Sequence, residues 1–319
     1  MQFGYLLSLN RYKITPIKNH YTLPIMKSTL LVSAVQQPCN ADRQTNLDFS
    51  IAKIHEAAAG NADLVVLPEL HLGPYFCQSE DYNNFDLAQP IPGPATEILS
   101  AVAKKLNIVI VSTIFEKRAP GLYHNTAVVF DKDGSIAGKY RKMHIPDDPG
   151  FYEKYYFTPG DLGFKPIETS IGKLGVLVCW DQWYPEAARL MALAGAELLI
   201  YPTAIGWDPE DTPEEQQRQL NAWITIQRSH AVANGIPVIS CNRIGFEQAP
   251  DSASGINFWG NSFIAGPQGE IIASADDSET QLLSCTIDRA RAERVRQIWP
   301  FLRDRRIDEF GDLTRRFID

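Results

Sequence analysis

The chain carries an internal repeat, and that repeat restricts its fold more than any single motif. The stretch Ala59-Gly-Asn-Ala-Asp-Leu-Val-Val-Leu-Pro68 is matched by Ala194-Gly-Ala-Glu-Leu-Leu-Ile-Tyr-Pro202. Each has a glycine where a helix would end and an apolar strand after it. Further on, Ala103-Lys-Lys-Leu-Asn-Ile-Val-Ile-Val-Ser112 is echoed by Ala231-Val-Ala-Asn-Gly-Ile-Pro-Val-Ile-Ser240. Both halves then continue as an asparagine-led strand and a glycine-containing hairpin, over residues 125–134 and 261–269.

Each half therefore reads as helix, strand, helix, strand, hairpin. Its helices are apolar along one stripe only, such as Leu47, Ile51, Ile54 and Ala58, or Leu220, Trp223, Ile224, Gln227 and Ala231. A one-striped helix covers one face of a sheet, so each sheet must bury its other face elsewhere. Two halves stacked sheet against sheet solve this, which predicts an α/β fold built as a four-layer α-β-β-α sandwich with internal pseudo-duplication. Two side-by-side domains would want a polar linker between the halves. Residues 141–173 instead combine turns such as Asp147-Asp-Pro-Gly150 with many aromatics, and read as a folded loop beside a site. One domain over residues 26–319 is the expectation. Residues 1–25, with Arg11, Lys13 and Lys18 and no acid, read as an extension outside it. Their apolar patch, Phe3-Gly-Tyr-Leu-Leu7, is too short for a membrane span and poor as a secretory leader.

Composition narrows the function. A formal charge of -8, with no basic run beyond Arg303-Asp-Arg-Arg306, argues against nucleic acid as a partner and is compatible with a small cationic one. Five cysteines without a C-x-x-C pair suit a reduced compartment, so a cytoplasmic protein is expected. The six histidines show no metal-binding spacing, and no phosphate-binding or dinucleotide-binding glycine motif is present. Neither a metal nor an organic cofactor is expected, and no membrane.

Chemistry gathers at strand ends. The apolar run Gly175-Val-Leu-Val-Cys179 stops against a helix-like stretch from Trp180 to Gly195, which holds a thiol rigidly at a sheet edge. Two further apolar strands end at Leu64-Val-Val-Leu-Pro-Glu69 and Lys139-Tyr-Arg-Lys142-Met-His144. A thiol attacks an amide or ureido carbonyl as thiolate, so it needs a base and a nearby cation; Glu69 and Lys142 are the candidates. Taken singly, each has a plainer reading: Cys179 as a buried structural thiol, Glu69 as a cap, Lys142 as part of a solvated basic face.

These three neighbourhoods, Leu67-Pro-Glu69, Tyr140-Arg-Lys142-Met-His144 and Cys179-Trp-Asp-Gln-Trp-Tyr-Pro-Glu186, resemble the motifs of the nitrilase superfamily of carbon-nitrogen hydrolases. The likeness runs from about Met26 to the C-terminus. It implies the four-layer fold and a Glu-Lys-Cys triad at Glu69, Lys142 and Cys179, with Glu153 as an additional glutamate. It also implies that Lys142 and the Trp180 N–H stabilise the oxyanion. Pro74-Tyr-Phe-Cys-Gln78, His144-Ile-Pro-Asp147, Tyr201-Pro-Thr-Ala-Ile-Gly206 and Cys241-Asn-Arg-Ile-Gly245 are similar to members acting on a small cationic ureido substrate. Such a substrate needs a carboxylate for its ammonium. Asp147, in the loop after Lys142, is the first candidate and Asp208 the second. Most acids between Asp208 and Glu215 are also explained by the dipole of a helix starting near Pro213. Tyr75, Trp180, Thr203 and Ala204 are expected along the aliphatic part of the substrate. The resemblance further implies an arm from about residue 299 and a homo-oligomer.

Overall fold

The computed structural model describes residues 27–250 and 252–319; the expected extension over residues 1–25 lies outside them. The first half runs β1 (Thr29–Gln36), α1 (Arg43–Ala59), β2 (Leu64–Val66), α2 (Pro94–Leu106), β3 (Val109–Ala119), β4 (Leu122–Phe130) and β5 (Ile136–Arg141). A short helix, α3 (Glu153–Tyr156), lies in the connection. The second half runs β6 (Ile167–Thr169), β7 (Gly172–Val176), α4 (Pro185–Leu193), β8 (Leu198–Thr203), β9 (Gly206–Trp207), α5 (Pro213–Asn234) and β10 (Val238–Asn242). It continues through β11 (Ile244–Gln248), β12 (Gly255–Trp259), β13 (Phe263–Ala265) and β14 (Ile271–Ser274) to β15 (Gln281–Asp288) and α6 (Arg289–Ile298).

The repeat in the sequence is a repeat in topology. One sheet has the order β15-β1-β2-β3-β4-β5 and the other β6-β7-β8-β10-β13-β14. In each, an antiparallel edge strand is followed by three parallel strands and an antiparallel hairpin. A small third sheet, β11-β12-β9, is inserted in the second half.

Strand alternation explains the layering. Leu64, Val66, Val109, Val111, Ala127 and Val129 turn to the core shared with the second sheet. Their neighbours Val65, Ile110, Val128 and Phe130 pack with Leu47, Ile54, Leu99 and Ala103 of α1 and α2. Because the side-chain period is two, a one-residue slip would exchange these sets, so burial on both faces fixes register. In the second half, α4 and α5 cover the sheet, and β1 lies against β10 at the centre. The result is the four-layer α-β-β-α sandwich expected from the repeat.

One local expectation is corrected. The helix-like stretch from Trp180 is not a single helix: a 3-10 turn spans Cys179–Trp183, and α4 begins only at Pro185. Tyr184 is extended, as a residue before proline prefers, and Pro185 starts the new helix because its missing N–H is not needed there.

Candidate active site

Parallel strands deliver their C-terminal residues to one end of the sandwich, and the candidate groups collect there. Glu69 follows β2, Lys142 follows β5, Cys179 follows β7 and Ala204 follows β8. The Glu69 N–H donates to the Thr203 carbonyl at 3.3 Å, joining the equivalent strand ends of the two sheets. Lys142 Nζ donates to Glu69 Oε1 at 2.8 Å and to Glu153 Oε1 and Oε2 at 2.9 and 2.7 Å. Asn125 Nδ2 donates to the same Glu69 oxygen at 2.7 Å, and the Tyr75 hydroxyl to Glu153 Oε1 at 2.6 Å. The Lys142 and Glu69 side chains are 0% exposed and that of Glu153 1%. Glu69 Oε2 is buried without a hydrogen-bond partner among the described residues, which leaves one carboxylate oxygen able to take a proton.

The charge count explains the electrostatics. One ammonium faces two buried carboxylates, so the cluster is one positive charge short. Burial pushes Glu153 up to about 7; Lys142 opposes this and the Glu69 carboxylate adds to it. Burial works against the Lys142 ammonium too, but Glu153 and Glu69 outweigh it and hold the amine protonated well above its usual range. The Cys179 thiol is pushed well up by burial and by Glu69, with Lys142 pulling the other way. At rest the sulfur therefore keeps its proton, because a thiolate would add a further negative charge to a dry site.

The turn that carries Cys179 is strained and strapped. Cys179 has φ +43°, a left-handed conformation uncommon outside glycine, and its Sγ lies 3.7 Å from the Ala204 carbonyl. Asp181 holds this turn through a fully buried carboxylate: Oδ2 accepts the Val178 N–H and the Tyr140 hydroxyl, and Oδ1 accepts the His144 N–H and lies 2.7 Å from His144 Nδ1. The loop bearing Lys142 and the turn bearing Cys179 are thereby pinned to one side chain.

A cavity of about 530 Å³ opens onto Cys179 and Glu153, with Trp180, Trp183, Ala204 and Trp259 among its walls. Its acids are Asp148, Asp208, Asp211 and Glu215, and Arg218 lies beside them. Of the expected substrate contacts, Trp180, Ala204 and Asp208 line this cavity. Asp147 does not: its carboxylate points to Lys154 at 3.8 Å, and the turn in which the Phe151 N–H donates to the Asp148 carbonyl presents Asp148 instead. Tyr75 is off the wall, buried behind Glu153. Thr203 is also buried, with its hydroxyl on Tyr201 and Gln182 and its carbonyl on Glu69. Sequence reasoning passed over Asp181 and Asn125; the signal for the first was its place two residues after the thiol, and for the second its place at the head of the repeated strand. It also treated Asp211 and Glu215 only as helix-start acids.

This fold and site define a carbon-nitrogen hydrolase: the chain belongs to that family, whose model matches residues 31–297, and so acts on non-peptide C–N bonds. It is similar to N-carbamoylputrescine amidase of Arabidopsis thaliana, 43% identical over 88% of this chain and 93% of that protein. It is also similar to citrullinase of Francisella tularensis, 40% identical over 91% of this chain and 100% of that protein. Among solved structures, the carbon-nitrogen hydrolase from Helicobacter pylori G27 superimposes with a TM-score of 0.88 at 54% identity, covering 91% of this chain and 100% of that one.

Proposed function

We propose that the protein hydrolyses N-carbamoylputrescine to putrescine, ammonia and carbon dioxide through a Cys179 thioester. The observation that carries this reading is the enclosed contact of Lys142 with Glu69 and Glu153, beside a cavity that Glu153 and Cys179 line and whose acids, among the described residues, outnumber its one arginine. Glu69 removes the thiol proton as Sγ adds to the ureido carbon. Lys142 and the Trp180 N–H face the oxyanion that forms, a kind of contact worth roughly two to three orders of magnitude in turnover. The intermediate collapses as Glu69 passes its proton to the leaving nitrogen. Glu69 then deprotonates water as it attacks the thioester carbonyl, the departing Cys179 sulfur takes that proton back from Glu69, and the carbamic acid released falls apart into carbon dioxide and the second amine. The chemistry closes on protein groups and water alone, without a cofactor.

The acidic wall suits the far ammonium of a carbamoylated diamine. A second reading, a ureido amino acid such as citrulline, is favoured by Arg218 on the cavity wall and by the citrullinase among the relatives. Arg218 already pairs with Glu214 at 2.7 Å and Glu215 at 3.3 Å, which leaves little of its fork for a carboxylate and favours the diamine. Ammonia release from N-carbamoylputrescine and from citrulline, each with the wild type and Cys179→Ala, decides both points. Full rate in the variant would remove the nucleophile, and a faster rate on citrulline would exchange the substrates.

A second copy of the chain is the proposed partner. Past α6 the chain exposes Trp299, Phe301, Ile307, Phe310, Leu313 and Phe317, more apolar surface than a tail in water would hold open. Sedimentation of the chain ended at Ile298 tests this; an unchanged mass would exclude the tail from the interface. All five cysteines are free, consistent with the proposed cytoplasmic setting. Among the described residues no helix is long and apolar enough to cross a membrane.

A further inference from the structure

The segment after β2 carries both Glu69 and Tyr75, and one arginine from the other half of the molecule grips it along its length. Arg243, directly after β10, is 0% exposed. Its Nη2 donates to the carbonyls of Glu69 at 2.7 Å and Leu70 at 2.9 Å. Its Nη1 donates to the Gly73 carbonyl at 3.3 Å and to Glu247 Oε1 at 2.7 Å. Glu247 completes the grip: Oε2 accepts the Tyr75 N–H at 2.6 Å, and its carbonyl accepts Gln78 Nε2 at 3.1 Å. The guanidinium lies over the Phe258 ring at 5.1 Å and the Tyr75 ring at 5.9 Å.

Two features make this more than packing. Leu70 has φ +50°, a left-handed conformation that is costly for a leucine and persists only where the surroundings over-determine it. The two carbonyls flanking that strained residue are the ones Nη2 holds. The donors must also reach two successive carbonyls and a carboxylate from one plane, which a guanidinium does and an ammonium does not. At the far end of the segment, the Tyr75 hydroxyl donates to Glu153 Oε1.

We propose that Arg243 is a positioning residue of the active site: with Glu247 it fixes the segment from Glu69 to Tyr75, so that Glu69 and, through Tyr75, Glu153 both meet Lys142 at hydrogen-bond distance. This rests on the reading of Glu69, Lys142 and Cys179 given above. Arg243 is not on the cavity wall; it acts on where the base and the lysine's second partner stand. Displacing a catalytic group by about 1 Å costs on the order of a hundredfold in rate, so loosening the grip shows in kcat rather than in binding.

The test is Arg243→Lys, which keeps the charge and loses the fork. Expected are a kcat lower by about tenfold or more, a KM within about twofold, and stoichiometric alkylation of Cys179 by iodoacetamide. The acid limb of the pH-rate profile should also move, because the Glu153 environment changes with Tyr75. Leu99→Ala, in the core between sheet and helix, is the comparison for lost stability alone. It should lower the melting temperature and leave kcat and the pH limb in place. If Arg243→Lys behaves as Leu99→Ala does, Arg243 is a packing residue and the proposal is overturned. Should Arg243→Lys fail to fold, Glu247→Gln takes its place. That variant keeps the fork on Glu69 and Leu70 but loosens Tyr75, and a wild-type pH limb in it overturns the proposal equally. Ammonia release that survives in Cys179→Ala would sink the underlying reading; an inactive Cys179→Ala beside a fully active Arg243→Lys sinks only this one.

Discussion

Arg141 and Lys142 are consecutive residues at the end of β5, and each gathers two carboxylates, but Glu116 in one cluster and Glu153 in the other are pushed in opposite directions. Arg141 binds Glu116 and Asp161 on a face that Lys139 and Arg118 also reach, so cations match or exceed anions. Burial pushes Glu116 up, yet hydrogen bonds from Arg141, Thr126 and Lys139 override it and hold the carboxyl at about 2. Among the described residues the ion-pair partners of Lys142 are Glu69 and Glu153. There burial wins and Glu153 rises to about 7. The two clusters share a motif and differ in charge count and enclosure. A balanced, partly wetted network only braces a strand, whereas an enclosed one short of a cation keeps a proton in play near neutrality.

Exchanging the two bases sharpens this contrast most. Lys142→Met should lower kcat by roughly two to three orders of magnitude with the fold intact, because the oxyanion loses its charged donor. Arg141→Met should keep kcat within about threefold and cost roughly 1–3 kcal/mol of stability, since Glu116 would keep only Lys139 and Thr126. Steady-state kinetics beside urea melts separate the outcomes. Equal kinetic losses would mean that the neighbouring clusters work as one unit.

Glu153→Gln comes next, with a loss in kcat of about tenfold to a hundredfold. In the wild type, kcat/KM should climb as pH rises through about 7, as Glu153 gives up its proton and becomes a full counter-charge for Lys142. The glutamine variant should lose that limb. Stability separates the clusters by sign. Glu153 titrates near 7 in the folded protein against an ordinary 4.5, so its contribution is complete below about 4.5 and is lost as pH rises through 7. Glu116 titrates near 2 against the same 4.5, so its contribution is complete above 4.5 and is lost as pH falls through 2. Melts of Glu153→Gln and Glu116→Gln across that range should flatten opposite limbs; two variants flattening the same limb would contradict the charge count.

The candidate residues of this contrast were legible in the sequence and their supports were not. Glu69, Lys142 and Cys179 stand out because each stands at a strand end, and a thiol that attacks a carbonyl needs a base and a cation beside it. Arg243 and Asp181 did not stand out, because three of the four groups Arg243 holds and two of the four Asp181 holds are backbone, and backbone partners leave no mark on residue type. Arg243 reaches carbonyls more than 160 positions away in the chain. Asp147 and Asp148 are adjacent and chemically alike, and only the turn closed by Phe151 decides which of them meets the cavity. Asp211 and Glu215 serve two ends: Glu215 lies in the first turn of α5, where acids favour the dipole, and both carboxylates also border the cavity.

The mouth of the cavity supplies a third and weakest grade of charge, and with it the smallest expected effect. Asp211 borders the opening and spends one carboxylate oxygen on Gln219, leaving the other for a substrate ammonium. An ion pair reached by water is worth about 0.2–1 kcal/mol, so Asp211→Asn should raise the KM for N-carbamoylputrescine by roughly twofold to fivefold and leave kcat alone. Asp147→Asn, whose carboxylate faces Lys154, should change neither constant by more than about twofold. Because these charges are open to solvent, added salt should narrow the gap between wild type and Asp211→Asn, while the deficit of Lys142→Met should stay where it is. A mouth variant insensitive to salt would place Asp211 among the enclosed charges, and the three grades would reduce to two.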